Sequence, residues 1–223
     1  MEVVLSVSHA MCPSRCVSLG DKKCTKKDAS GFALDYDDGQ IKFSNHLCDT
    51  GAANMAMYIS KALSDLKITN QVLLGDVSRD VCDLNRTPCR DTMYRKRLRE
   101  TLAKSGNKAY LLDIHSFNED AEDFIDSEIV LLDESPDPHK VWPFTYSLYS
   151  FLKTSGITTK ILKGKHNDIN IEATEKLLAP VFFLIERNEA VSGSRAEEIA
   201  KLVAKWLSSS LLSHPHLSQS RHS

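Results

Sequence analysis

Ala109-Tyr110-Leu111-Leu112-Asp113-Ile114-His115 is apolar at adjacent as well as alternate positions, the pattern of a strand buried on both faces. Such a strand needs a covering layer on each side, which calls for helices above and below a sheet. The rest of the chain supplies them. Val3-Val4-Leu5-Ser6-Val7 and Gln71-Val72-Leu73-Leu74-Gly75 read as strands before it, and Glu128 to Leu132, Ile157 to Leu162 and Val181 to Glu186 as strands after it. Between them, Ala52, Ala53, Ala56, Ile59, Ala62, Leu63 and Leu66 follow the i, i+3, i+4, i+7 spacing of an amphipathic helix. Further helices are expected over Arg90 to Lys104, Pro143 to Thr154 and Ile171 to Leu178, and a last one is marked by Ile199, Leu202, Val203 and Trp206. Strands that alternate with helices in this way predict a single-domain three-layer α/β/α sandwich with a mixed, mainly parallel sheet. The domain is expected over residues 1–207, with the Ser- and His-rich 208–223 as a flexible tail.

Composition sets the outer bounds. Hydrophobic residues make up 42% of the 223 and charged ones 26%, which excludes a disordered chain. Lys and Arg total 28 against 30 Asp and Glu, so no basic excess is present to hold a nucleic acid. Arg90, Arg95, Lys96, Arg97 and Arg99 cluster on one expected helix, where they read as a solvated face. No run approaches the roughly 18 apolar residues of a membrane span. The short apolar run at Val3–Val7 has no basic region before it and reads as a strand rather than a secretory signal. A cytoplasmic protein with reduced thiols is the expectation. All six cysteines lie at or before position 89, at 12, 16, 24, 48, 82 and 89. Cys12-x3-Cys16-x7-Cys24 does not make the paired CxxC knuckles of a structural zinc site.

Two stretches resist the alternation. Pro13 to Cys48 has no clean period, with a candidate hairpin at Phe32-Ala33-Leu34 and Ile41-Lys42-Phe43 around Asp37-Asp38-Gly39. Asn118 to Asp126 is an acidic loop directly after the third strand.

In open α/β sheets ligands bind at the carboxyl ends of the strands. His9 follows the first strand there, Asp76, Ser78 and Arg79 the second, His115 and Ser116 end the third, and Glu186 ends the last. Two histidines, a carboxylate and a separate glutamate at one edge suit a hydrolytic zinc site, which uses three protein ligands and keeps a fourth position open. Asp49, just before the first helix, reads equally as a helix N-cap. In Ser78-Arg79-Asp80-Val81-Cys82-Asp83-Leu84-Asn85-Arg86, two arginines flank Asp83 and Asn85. Their planar donors match a carboxylate ligand, although by charge pattern alone a turn in which Asp83 holds one of the arginines is the simpler reading.

Ser78-Arg79 with Asp83-Leu84-Asn85-Arg86, followed about thirty residues later by Asp113-Ile114-His115-Ser116, resembles the N-formylglutamate amidohydrolase family, a branch of the wider zinc carboxypeptidase and succinylglutamate desuccinylase/aspartoacylase group. Ser8-His9, Asp49 and Leu184-Ile185-Glu186 are similar to further family positions, so the resemblance runs from about residue 3 to 190. It implies a zinc-carboxypeptidase-like fold and a zinc-dependent amidohydrolase with metal-bound water as nucleophile. The substrate implied is a small N-acyl amino acid or a peptide-like carboxylate. His9 and His115 would ligate one zinc ion. The third ligand is either Cys12, which stands where the carboxypeptidase group has a glutamate, or Asp49, the preferred choice. Glu186 would be the catalytic base and then acid, and Arg79 would polarise the scissile carbonyl or clamp a second carboxylate. Asn85 and Arg86 would hold the substrate carboxylate, with His166 as a further substrate contact, and Asp113 would orient His115 from behind. The missing glutamate also motivates an alternative, a catalytically inactive member acting as a carboxylate-binding or protein-interaction module.

Overall fold

The computed structural model describes residues 2–10, 49, 51–77, 83–86, 89, 91–105, 109–117, 124, 126–133, 141–164 and 181–213. Among them the chain runs β1 (Glu2–Val7), α1 (Ala52–Asp65), β2 (Asn70–Leu74), α2 (Met93–Lys104), β3 (Ala109–Phe117), β4 (Ile129–Asp133), α3 (Pro143–Thr154), β5 (Thr159–Lys163), β6 (Val181–Asn188) and α4 (Gly193–Ser213). The expected hairpin within 13–48 and the expected helix over 171–178 lie outside the described residues.

The strands form one sheet in the order β2-β1-β3-β6-β4-β5. β1 pairs in parallel with both β2 and β3, and β3 with β6. β4 runs antiparallel to β6 and carries β5 parallel to itself. The sheet is therefore mixed and mainly parallel, as the interleaved pattern predicts. β3 sits near the middle and is buried along almost its whole length, which is why its apolar residues are contiguous.

Successive side chains of a strand point to opposite faces, and the two faces have separate cores. Val3, Leu5 and Val7 join Tyr110, Leu112, Ile114 and Ile185 under α1, α3 and α4. Val4, Leu73, Ala109 and Leu111 pack with Tyr94, Leu98 and Leu102 of α2 on the other face. Helices cover both faces, completing the three layers. Ser6 and Asp113 fall on the α2 face, polar residues in register with each other inside two buried strands.

Four local expectations change. Asp49 does not cap α1: the N-cap is Gly51 in the left-handed region at φ 88, a conformation glycine adopts without steric cost. α2 begins at Met93 rather than Arg90, because the Thr92 side chain accepts a hydrogen bond from the Arg95 N–H and closes the first turn there. Arg95 is not on a solvated face but 2% exposed. α4 continues to Ser213, past the expected start of the tail at 208. The thiols also differ from expectation at one position, since Cys89, buried against α2, is disulfide-bonded to a cysteine outside the described residues.

Candidate metal centre

β1 ends at Val7 and turns through Ser8 and His9 at the carboxyl edge of the sheet. The Asp49 N–H donates to the His9 carbonyl at 3.0 Å, so the two segments are tied by their backbones. The Asp49 carbonyl in turn accepts the Ala52 N–H at 3.2 Å at the start of α1. β3 brings His115 to the same edge, and the β3–β6 register sets Glu186 directly opposite it on the same face. Residues far apart in sequence thus meet at one point because three neighbouring parallel strand ends meet there.

The imidazoles of His9 and His115 stand edge to face, with ring centroids 5.1 Å apart. Both Nδ1 atoms face one carboxylate oxygen, Asp49 Oδ2, at 3.4 Å from His9 and 2.6 Å from His115. One ligand atom from each of the three side chains lies within 4.8 Å of the others, and all three residues are buried. The outer ring nitrogens are already engaged. His9 Nε2 meets Asp83 Oδ1 at 2.9 Å, and His115 Nε2 meets Asp113 Oδ2 at 3.2 Å and Asn85 Nδ2 at 3.2 Å. Metal-bound histidines use this pattern, in which the carboxylate behind the ring fixes the proton on the far nitrogen and frees the near one. His9 Nδ1 is buried and has no hydrogen-bond partner. Its nearest carboxylate oxygen, Asp49 Oδ2, stands 3.4 Å away, and a cation held between the three side chains would give it a closer partner. Two imidazoles and a carboxylate are a donor set suited to zinc.

The electrostatics agree with this arrangement. Burial opposes charge on His115, but the carboxylates of Asp113 and Asp49 outweigh it and hold the pKa well above 6.5. His9 is raised too, with burial opposed by Asp49 and Asp83 and with His115 pulling it down. Asp49 is driven well below the usual carboxylate range by the two histidines despite its burial. Glu186 goes the other way: burial, with Asp49 and Asp113 adding to it against the two histidines, pushes its carboxyl up to about 8.

Residues 83–86 lie against the two histidines. Asp83 accepts the Asn85 N–H at 3.0 Å through the oxygen that also meets His9. Its other oxygen lies 3.9 Å from Arg86 Nε, so Asp83 serves an arginine and a histidine at once. Asn85 is buried against His115, and Arg86 is about half exposed at the rim. Arg79, His166 and Cys12 lie outside the described residues. Several supporting residues escaped the sequence reading. Ser6 donates to Asp113 Oδ1 at 2.9 Å and pairs with the Tyr94 hydroxyl at 2.6 Å. Arg95 Nη1 donates to the Leu84 carbonyl at 2.9 Å. Arg187 Nη1 donates to the Gly51 carbonyl at 3.1 Å, on the segment that delivers Asp49. The one available signal was burial without an apolar side chain, as at Ser6 within an apolar strand.

No protein-family model and no curated protein matches the sequence. Solved structures share the fold. The gene product Atu2144 from Agrobacterium tumefaciens aligns over 96% of this chain and 92% of its own, with a TM-score of 0.63 and 17% identity. N-formylglutamate amidohydrolase from Ralstonia eutropha aligns over 95% of this chain and 94% of its own, with a TM-score of 0.53 and 12% identity. The resemblance to the amidohydrolase family therefore holds at the level of the fold.

Proposed function

We propose that this chain is a zinc-dependent hydrolase of carbon–nitrogen amide bonds, acting on an N-formylglutamate-like N-acyl amino acid or a peptide end that carries a free carboxylate. The observation that carries this reading is the convergence of both histidine Nδ1 atoms on Asp49 Oδ2, with the far nitrogens held by Asp83 and Asp113. His9, Asp49 and His115 would hold one zinc ion, which when bound acidifies water and polarises an amide carbonyl.

Glu186 moves the proton. Burial raises the proton affinity of its carboxyl above the ordinary glutamate range, and beside a bound cation it would take a proton from the attacking water and return it to the leaving amine. Asp113 and Asp83 keep the two imidazoles oriented and each far nitrogen protonated. That proton on His115, donated to Asp113 Oδ2, bears on Asn85, because an NH2 group facing a protonated Nε2 is repelled and a carboxamide oxygen there is not. The half-exposed Arg86 at the rim would be the charged partner of a substrate carboxylate, with Asn85 buried beneath it against His115. Arg79 and His166 enter as substrate contacts on the sequence resemblance alone. Asp49 supports the active enzyme over the inactive carboxylate-binding module, since it stands where a third ligand is needed.

A small carboxylate substrate, rather than nucleic acid or a membrane, fits the charge balance of -2. No helix among the described residues is long and apolar enough to cross a membrane. Against a cytoplasmic location stands the Cys89 disulfide, a bond that persists mainly in oxidising compartments. The test is zinc loading followed by hydrolysis of N-formyl-L-glutamate and longer N-acyl glutamates. About one zinc per chain, with turnover abolished by a chelator and restored by zinc, is the expected result. A protein that takes up no zinc would sink the reading.

A further inference from the structure

Two adjacent residues of α2, Tyr94 and Arg95, are buried beside the metal centre without touching it. Tyr94 is 2% exposed and Arg95 likewise 2%. Tyr94 reaches His115 through Ser6 and Asp113, and Arg95 reaches both histidines through the turn at Leu84. Ser6 has a single proton, and the geometry gives it to Asp113 Oδ1 at 2.9 Å. The 2.6 Å contact between Ser6 Oγ and the Tyr94 hydroxyl must then be donated by Tyr94. Burial holds the Tyr94 phenol far above its ordinary pKa, so the proton is there to give. Asp113 Oδ2 faces His115 Nε2. With one of its oxygens satisfied from the Ser6 side, the carboxylate is fixed in rotation, and its second oxygen takes the Nε2 proton. The chain of donors thus favours the proton on Nε2, so that Nδ1, which here meets Asp49 Oδ2 at 2.6 Å, is the nitrogen a metal would take up.

Arg95 works on the other side. Its guanidinium holds the Leu84 carbonyl at 2.9 Å, and Leu84 lies between Asp83, which meets His9, and Asn85, which meets His115. Fixing that one peptide fixes the supports of both histidines.

We propose that Tyr94 and Arg95 are positioning residues for the metal centre: Tyr94 orients His115 through Ser6 and Asp113, and Arg95 holds the Asp83–Asn85 turn over both histidines. The inference rests on the zinc reading above. Its test is zinc affinity by chelator competition, with the absorption spectrum of the cobalt-substituted protein, for wild type, Tyr94→Phe, Arg95→Met and Leu102→Ala. Leu102, in the same apolar cluster, reports what loss of α2 packing alone does. Tyr94→Phe and Arg95→Met should each weaken zinc binding by about tenfold, the low end for groups that support metal ligands, and shift the cobalt bands. Leu102→Ala should lower the melting temperature and leave both readings as in wild type. In an Asp113→Asn background, Tyr94→Phe should have little further effect, because both act on one path. Should Arg95→Met fail to fold, Arg95→Lys, which keeps the charge and loses the planar fork, is judged by the same criterion. Wild-type affinity and spectrum in Tyr94→Phe and in the arginine variant would overturn the proposal while leaving the zinc reading intact. A wild type that binds no zinc overturns the reading itself, and the proposal with it.

Discussion

Glu186 and His115 are cross-strand partners at the end of a parallel pair, yet their proton affinities are displaced for different reasons. The histidine lies between two carboxylates and gains from being charged, whereas the glutamate is buried near the same carboxylates and loses by it. On the proposed function, that contrast fits His115 as a ligand and Glu186 as the proton carrier, since a group already paired by Asp49 and Asp113 is ill suited to give and take a proton in each turnover. Glu186→Gln keeps the shape and the hydrogen-bonding reach but cannot carry the proton. Turnover of the zinc-loaded variant should fall by roughly 10²–10⁴-fold, with zinc affinity unchanged or slightly altered. Steady-state kinetics beside a zinc titration checks both. A variant that keeps its turnover would remove Glu186 from the reaction, and one that loses zinc would make it a ligand.

At the scale of elements, the site depends on how closely β1 and β2 approach where they end. Gly75 follows β2 and donates its N–H to the Val7 carbonyl at 2.8 Å. A Cβ at this position would lie 2.0 Å from the Ser8 carbonyl oxygen and 2.9 Å from Leu84 Cδ1. The first neighbour is backbone next to His9 and the second belongs to the turn held by Arg95. Gly75→Ala must therefore displace the Ser8–His9 turn, the Leu84 turn, or both. It is expected to cost about 1–3 kcal/mol of stability, as overpacking does, and to weaken zinc binding as well, which calorimetric melting with and without zinc reads together. A loss of stability with zinc affinity untouched would mean that the turns absorb the methyl without moving the ligands. The same geometry explains what was legible in sequence. His9, His115 and Glu186 are polar residues closing apolar runs, and any parallel sheet brings such ends to one edge. Asp49 read by local pattern as a helix cap and became a ligand candidate only through the family resemblance, because its loop conformation is set by Gly51 and by the hydrogen bond of Arg187, and neither follows from local pattern. Ser6 and Asp113 are 107 residues apart, and no periodicity announces a hydrogen bond between them. Arg95 sat among other basic residues of an amphipathic helix, so its inward orientation depended on a carbonyl that the tertiary fold alone delivers.

Over the whole molecule, the centre is a charge problem solved by the fold. Asp49, Asp83, Asp113 and Glu186 lie about His9 and His115, so in the metal-free protein protons on the two histidines supply the positive charge facing Asp49 and Asp113. His9 and His115 have folded pKa values raised above 6.5. Their contribution to stability is complete below the unfolded value and is lost as pH rises through the folded one. Glu186, raised from 4.5 to about 8, binds a proton in the folded state that the unfolded state has released, so stability again falls as pH rises across that interval. All three groups point the same way, and the metal-free protein should melt at progressively lower temperature from about pH 5 towards pH 8. Asp49, whose pKa is lowered, adds a loss only on the acid side, as pH falls below the ordinary carboxylate range. On the proposed function, zinc should oppose this slope, because it would supply the positive charge and displace the histidine protons on binding. The rise in melting temperature on adding saturating zinc should accordingly be small near pH 5.5 and grow steadily to pH 8, the mass-action gain increasing as proton competition fades. Differential scanning calorimetry at matched ionic strength measures both slopes. In His115→Ala, with one ligand and one raised imidazole removed, the zinc-dependent rise should vanish and the metal-free slope should flatten. A zinc-dependent rise that stayed level across this range would mean that the ion enters without displacing protons, and so does not bind through His9 and His115.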